Sequence, residues 1–237
     1  SVYRYGDWLL SATIRSNVTG DVTLKFKTFS PQWVEVSFSD SATGTVKKWC
    51  DKDTWYEFRN NITNAVDNNI VVRGITNVMH IQGLENLNVS SMLLGNARRL
   101  CEIDIHGSQR IQRLELGNNE MLQSLNCKGC KKLGYDDNYK VINLEKCVNL
   151  KYLDLSDTLI GTVQLNTNGG ALEYLDLSNT KIADLVCNFQ EYLPEIKLDG
   201  CRDLSSVAIR GCNALTRLSL PNTKLSSFRV EDCTKLE

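Results

Sequence analysis

Hydrophobic positions over the later two thirds of the chain follow neither a helical nor a simple strand rhythm. In LEYLDLSNTKI, Leu172, Leu175 and Leu177 precede Thr180 and Ile182. The helical period of about 3.6 residues misses this spacing, and an isolated strand has no use for the leading leucine. The pattern recurs. Apolar pairs two residues apart stand at Ile103/Ile105, Leu114/Leu116, Leu125/Cys127, Ile142/Leu144, Leu153/Leu155, Val163/Leu165, Leu175/Leu177, Leu185/Cys187, Ile196/Leu198, Val207/Ile209, Leu218/Leu220 and Phe228/Val230. Less regular members precede them at Val78/His80 and Leu87/Val89. Successive pairs are ten to twelve residues apart with one exception, so two of them make a coil of about 22 residues. One coil cannot bury its apolar side alone. Coils therefore stack, share a core and pair short strands in parallel, about 4.8 Å apart.

Three residues after each pair comes a small or polar residue, among them Ser108, Asn119, Thr158, Asn168, Thr180, Gln190 and Thr223. The chain turns there, and turning exposes backbone groups to the core that need partners. Five of the nine cysteines (Cys130, Cys147, Cys201, Cys212, Cys233) share this column, and Cys127 and Cys187 fall at inward strand positions. Seven cysteines thus read as core residues compatible with free thiols.

The first 69 residues are built differently. All four tryptophans lie in the first quarter, and apart from Leu9, Leu10 and Leu24 every leucine falls at 84 or later. WVEVSFSD and DVTLKFKTF alternate with the period of a half-buried strand, and SDSATGT reads as a turn. DTWYEFRNNITNAV places Trp55, Phe58, Ile62 and Ala65 at near-helical spacing behind Asp53 and Thr54, which predicts a short helix over 54–66. The expected organisation is a β-rich N-terminal region over 1–69, a junction at 67–69, and a repeat solenoid over 70–237.

LKYLDLSDTLI, LEYLDLSNTKIADLVC and LTRLSLPNTKLSSFRVEDCTKL resemble the internalin-type leucine-rich repeats of bacterial surface proteins, across about residues 70–237. The resemblance implies an α/β-type repeat solenoid dominated by short parallel β-strands, in a secreted or surface-attached binding protein. It extends neither to the longer interval between Leu133 and Ile142 nor to the N-terminal region.

A formal net charge of −1 argues against a broad footprint for nucleic acid or an anionic membrane. No apolar run suffices to cross a bilayer, so direct membrane insertion is not expected. The chain opens on Ser1, and we expect a processed product or an excised fragment. CKGC at 127–130 is the obvious metal candidate, but both cysteines sit in repeat columns and no second ligand pair is evident, so the structural reading is preferred. His80 and His106 fall at strand-phase positions without a nucleophile signature, and no phosphate-binding or dinucleotide motif is present. No cofactor, metal or catalysis is expected. Sequons stand at Asn17, Asn61 and Asn88; they matter only where the host glycosylates, and chance occurrence is the bland alternative.

Between the leucines, outward residues of alternate coils share one face. Tyr152 and Tyr174 should be adjacent rungs, as should Asp154 and Asp176. Taken singly, each reads as strand propensity or solvation. As a patch, they are the best candidate for contact with a protein or glycan. The inserted KKLGYDDNYKV, with Tyr135, Asp136, Asp137 and Tyr139, reads equally as a tolerated loop or a binding loop. Two adjacent acids fall short of a calcium cage. The sequence thus predicts a non-enzymatic recognition module, extracellular or at the cell surface. The alternative is a spacer or assembly module of a larger surface protein or phage virion. Thr234–Glu237 closes a half-repeat with no polar cap, which predicts that the solenoid continues or is covered at that end.

Overall fold

The computed structural model describes residues 10–38, 44–63 and 66–237. Its N-terminal part is a two-sheet sandwich. β1 (Ser11–Ser16), β3 (Gln32–Ser37), β4 (Thr45–Cys50), β6 (Asn68–Arg73) and β8 (Val89–Leu93) form one sheet in the order β4-β3-β6-β1-β8. β2 (Gly20–Thr28), β5 (Tyr56–Ile62) and β7 (Val78–Gln82) form the other, in the order β5-β2-β7. All these neighbours pair antiparallel. The alternation read in the sequence faces inward as expected, and Phe26 and Phe58 meet edge-to-face with centroids 5.3 Å apart.

The short helix expected over 54–66 is instead strand β5, with Phe58 opposite Leu24. Phe58 and Ile62 are four residues apart, which suits one helical turn and equally one face of a strand. The ladder offered by β2 decides between them, and Asn61 adds a side-chain hydrogen bond of 2.8 Å to Asp21. Ala65, and most of the turn read in SDSATGT, lie outside the described residues. The junction expected at 67–69 also shifts. β6 runs through it into the antiparallel sheet between β1 and β3.

The solenoid follows. β9 (Glu102–Asp104), β11 (Ser124–Asn126), β13 (Tyr152–Asp154), β15 (Tyr174–Asp176), β17 (Glu195–Lys197) and β19 (Arg217–Ser219) make one unbroken parallel sheet of six strands. The second face is interrupted. β10 (Arg113–Glu115) pairs with β8, β12 (Val141–Asn143) with β14 (Thr162–Gln164), and β16 (Asp184–Asn188), β18 (Ser206–Arg210) and β20 (Ser227–Glu231) with one another. β8 joins the two parts, antiparallel to β1 on one edge and parallel to β10 on the other. On the first face, Cys101 N donates to Met79 O at 2.9 Å, tying the β9 coil to β7. The irregular pairs Val78/His80 and Leu87/Val89 thus fall at this transition. Val78, Leu87 and Val89 are buried, whereas His80 is only half-buried.

The expected α/β character is not seen: among the described residues there is no α-helix, and 3-10 turns stand at Ile75–Asn77, Leu84–Asn86 and Asp137–Tyr139. Each half-coil carries its own apolar pair two residues apart, so both halves bury a strand and neither has the length or period of a helix. What stands is a β-rich repeat solenoid of about six turns.

Inward pairs are buried from Ile103 to Ile209, apart from the half-buried Leu116. At the last coil Leu218 and Val230 are half-buried, and Leu220 and Phe228 are exposed. The turn column supplies the predicted partners. Asn119 Nδ2 donates to Leu94 O and Ala97 O, Thr180 Oγ1 to Leu177 O, and the Cys130 and Cys201 thiols to Ile105 O and Leu177 O. Asn168, in the same column, lies exposed.

Candidate functional site

Register places Tyr152 directly beside Tyr174, and their rings stack with centroids 4.6 Å apart and planes 5° from parallel. The separation of neighbouring strands matches that of stacked rings, so the ladder itself sets the stack. Lys197 Nζ lies 5.0 Å from the centroid of the Tyr174 ring. Among the described residues no ring or cation covers the other face of Tyr152, where the adjacent rung is Ser124.

The two aspartates are brought to the same patch, but in another role. Asp154 is 1 % exposed, and its Oδ1 accepts Ser156 N at 2.9 Å and Ser156 Oγ at 2.6 Å. Asp176 Oδ1 accepts Ser178 N at 2.9 Å, and its Oδ2 accepts the Tyr174 hydroxyl at 3.4 Å. Asp104, Asn126 and Asn143 likewise accept the amide two residues on. This row caps the chain as it leaves each strand. Burial, then the adjacent carboxylates (Asp154 for Tyr152, Asp176 for Tyr174), push both phenols up to about 12. Near neutral pH the patch is therefore two neutral hydroxyl donors on an aromatic stack.

The inserted loop belongs to the other face, so the two candidate sites do not merge. Gly134 N donates to Gln112 O at 3.2 Å, beside β10. Asp136 caps the 3-10 turn by accepting Asn138 N at 2.9 Å, and Asp137 pairs with Lys140. Tyr139 lies beneath the Arg113 guanidinium, 4.0 Å from ring centroid to Cζ. Tyr135 is exposed. The loop fills the break in the second face and walls a cleft of about 370 Å³ against the N-terminal sandwich. Arg110, Arg113 and Lys132 line that cleft with Ser91, Gln112 and Asp136. Sequence reasoning singled out Asp136 and Tyr139 but missed these cations. The loop's position opposite Arg113 was the available signal, and it needs the coil stacking to be read.

Other chemistry-bearing residues fall elsewhere. His106 Nδ1 meets Asp104 Oδ1 at 2.5 Å on an exposed rung. All nine cysteines are unpaired. Burial raises the Cys127 thiol well above its ordinary value and the Cys130 thiol to about 11, so CKGC is held as two protonated core thiols. Among the described residues, no three His, Cys, Asp or Glu side chains converge to hold a metal ion, and no helix is long and apolar enough to cross a membrane.

Set against protein-family models, curated proteins and solved structures, the chain matches none of them.

Proposed function

We propose that the chain is a non-enzymatic recognition module, an extracellular or surface-displayed array of the internalin-like leucine-rich repeat kind, which contacts a protein or glycan through its unbroken strand face. The stacked pair Tyr152 and Tyr174 carries this reading. Core packing does not require tyrosine at these outward positions, and paired aromatic rings with polar edges suit a contact surface. The capping role of Asp154 narrows the contact to the tyrosines, Lys197 and the open rung at Ser124. The test is a glycan array and a panel of extracellular protein domains, probed with the wild type and a Tyr152→Ala/Tyr174→Ala double variant. A signal that the double variant loses at unchanged melting temperature supports the reading. Retention of every signal by the double variant overturns it.

One observation favours the assembly alternative. The last coil carries a hollow of about 540 Å³ of mixed character, lined by Leu218, Leu220, Phe228, Val230 and Leu236 together with Thr216, Asp232 and Glu237. In sedimentation, concentration-dependent association that Phe228→Glu abolishes would favour assembly. A monomer at all concentrations would count against it.

A further inference from the structure

We propose that the cleft under the inserted loop is a second binding site, which takes the carboxylate of an acidic sugar such as a hexuronate unit of an oligosaccharide. The inference is independent of the tyrosine stack, which stands on the other face. The cleft has about 370 Å³ of space, enough for a sugar unit, and its walls come from segments far apart in sequence. Asp67 and Ser91 come from the N-terminal part, Arg110 and Arg113 from the first coil, and Lys132 and Asp136 from the loop.

The protein uses the charges unequally. Arg110 is held by Asp67 at 2.8 Å and by Asn88 O at 2.7 Å. Asp136 is engaged by the backbone and side chain of Asn138. Lys132 is exposed and has no ion-pair partner among the described residues. Arg113 Nη2 pairs with Glu115 at 2.8 Å, while its Nε is the one buried side-chain nitrogen or oxygen without a hydrogen-bond partner among the described residues. Stacking on Tyr139 holds that guanidinium flat and in place. Lys132 and Arg113 therefore bring donors and positive charge that no internal acid fully answers. A carboxylate placed between them gains charge-assisted hydrogen bonds.

The remaining lining selects the rest of the ligand. Ser91 hydroxyl and the Gln112 carboxamide offer both donors and acceptors, and the Asp67 and Asp136 carboxylates accept from hydroxyls. A ring bearing several hydroxyl groups can satisfy such a set. An acidic peptide would bring its carboxylate but few donors to meet the two aspartates, so the polyhydroxylated acid is favoured.

The experiment is titration calorimetry of the full chain with four probes: an oligogalacturonate, a neutral galacto-oligosaccharide of the same length, a glutamate-rich peptide and inorganic sulfate. We expect the oligogalacturonate to bind and the neutral sugar to bind at least about tenfold more weakly. Lys132→Ala and Arg113→Lys should each weaken oligogalacturonate binding about tenfold or more, the second because it keeps the charge but loses the planar fork. Tyr152→Ala/Tyr174→Ala should bind it as the wild type does, which separates this site from the strand face. Lys132 is exposed and its replacement leaves the core untouched, so its loss of binding reads the site and not the fold. No oligogalacturonate binding, equal binding of the neutral sugar, tighter binding of the peptide, or equal binding of sulfate would each overturn the proposal.

Discussion

Truncating Leu153 to alanine tests whether the stack is held together rung by rung. Leu153 is 0 % exposed, and register places Leu125 and Leu175 on the rungs either side of it. Removing a buried leucine costs about 2–5 kcal/mol, with the larger values where the surroundings cannot collapse into the space. Here β11 and β15 hold the strand by hydrogen bonds on both edges, so little collapse is available and we expect about 3–5 kcal/mol. The control is Leu218→Ala. That residue is half-buried on β19, which among the described residues pairs with β17 alone, and we expect about 1–2 kcal/mol there. Urea unfolding followed by circular dichroism, with linear extrapolation to water, gives both values. A Leu153→Ala cost equal to or below that of Leu218→Ala would show that the inward rungs do not share a rigid core, and would refute the reasoning.

Three further outcomes follow from particular contacts. Asn119→Ala removes the hydrogen bonds of a side chain 0 % exposed to Leu94 O, Ala97 O and Gly117 N; the two carbonyls keep Ala97 N and Leu100 N, so the cost should be about 1–3 kcal/mol in the same urea assay, whereas Asn118→Ala should stay within about 0.5 kcal/mol. Burial raises the Cys130 and Cys147 thiols from 9.0 to about 11, so the folded chain holds those protons more tightly than the unfolded one. Their contribution to stability is complete below about 9 and is lost as pH rises to about 11, and Cys147→Ala should make the fall in melting temperature over that window shallower than in wild type. Gly134 has φ +92° and an added Cβ would stand 2.6 Å from Leu159 O, so Gly134→Ala should lower stability by about 1–3 kcal/mol and speed hydrogen exchange through the inserted loop.

Much of the solenoid was legible because its constraint is local and repeated. An apolar pair two apart every ten to twelve residues leaves stacked coils as the way to bury both members. The turn column was legible for the same reason, since each turn needs a hydrogen-bonding residue small enough for the core. Asn119, Thr158, Thr180 and the buried cysteines fill that need. The helix over 54–66 was misread because Phe58 and Ile62 satisfy two periods at once, and only the edge of β2 distinguishes them. The aspartates differ. Alternation correctly puts Asp154 and Asp176 off the inward rungs, but it does not show the backbone amide two residues on that engages one oxygen of each carboxylate.

The sequence by itself determined the coil: its length, its inward rungs, its turn residues and the placing of Tyr152 and Tyr174 on adjacent rungs, all consequences of spacing along one stretch of chain. Tertiary structure decided what spacing cannot carry. It set β8 as the strand that joins antiparallel cap to parallel array, and it laid the inserted loop against β10. It also gathered Asp67, Ser91, Arg113 and Lys132 around one cleft. Ser91 and Arg113 are rung partners one coil apart, but no periodicity links that pair to Asp67 or Lys132. Their meeting depends on which strand edges pair, and that is settled by the shared core.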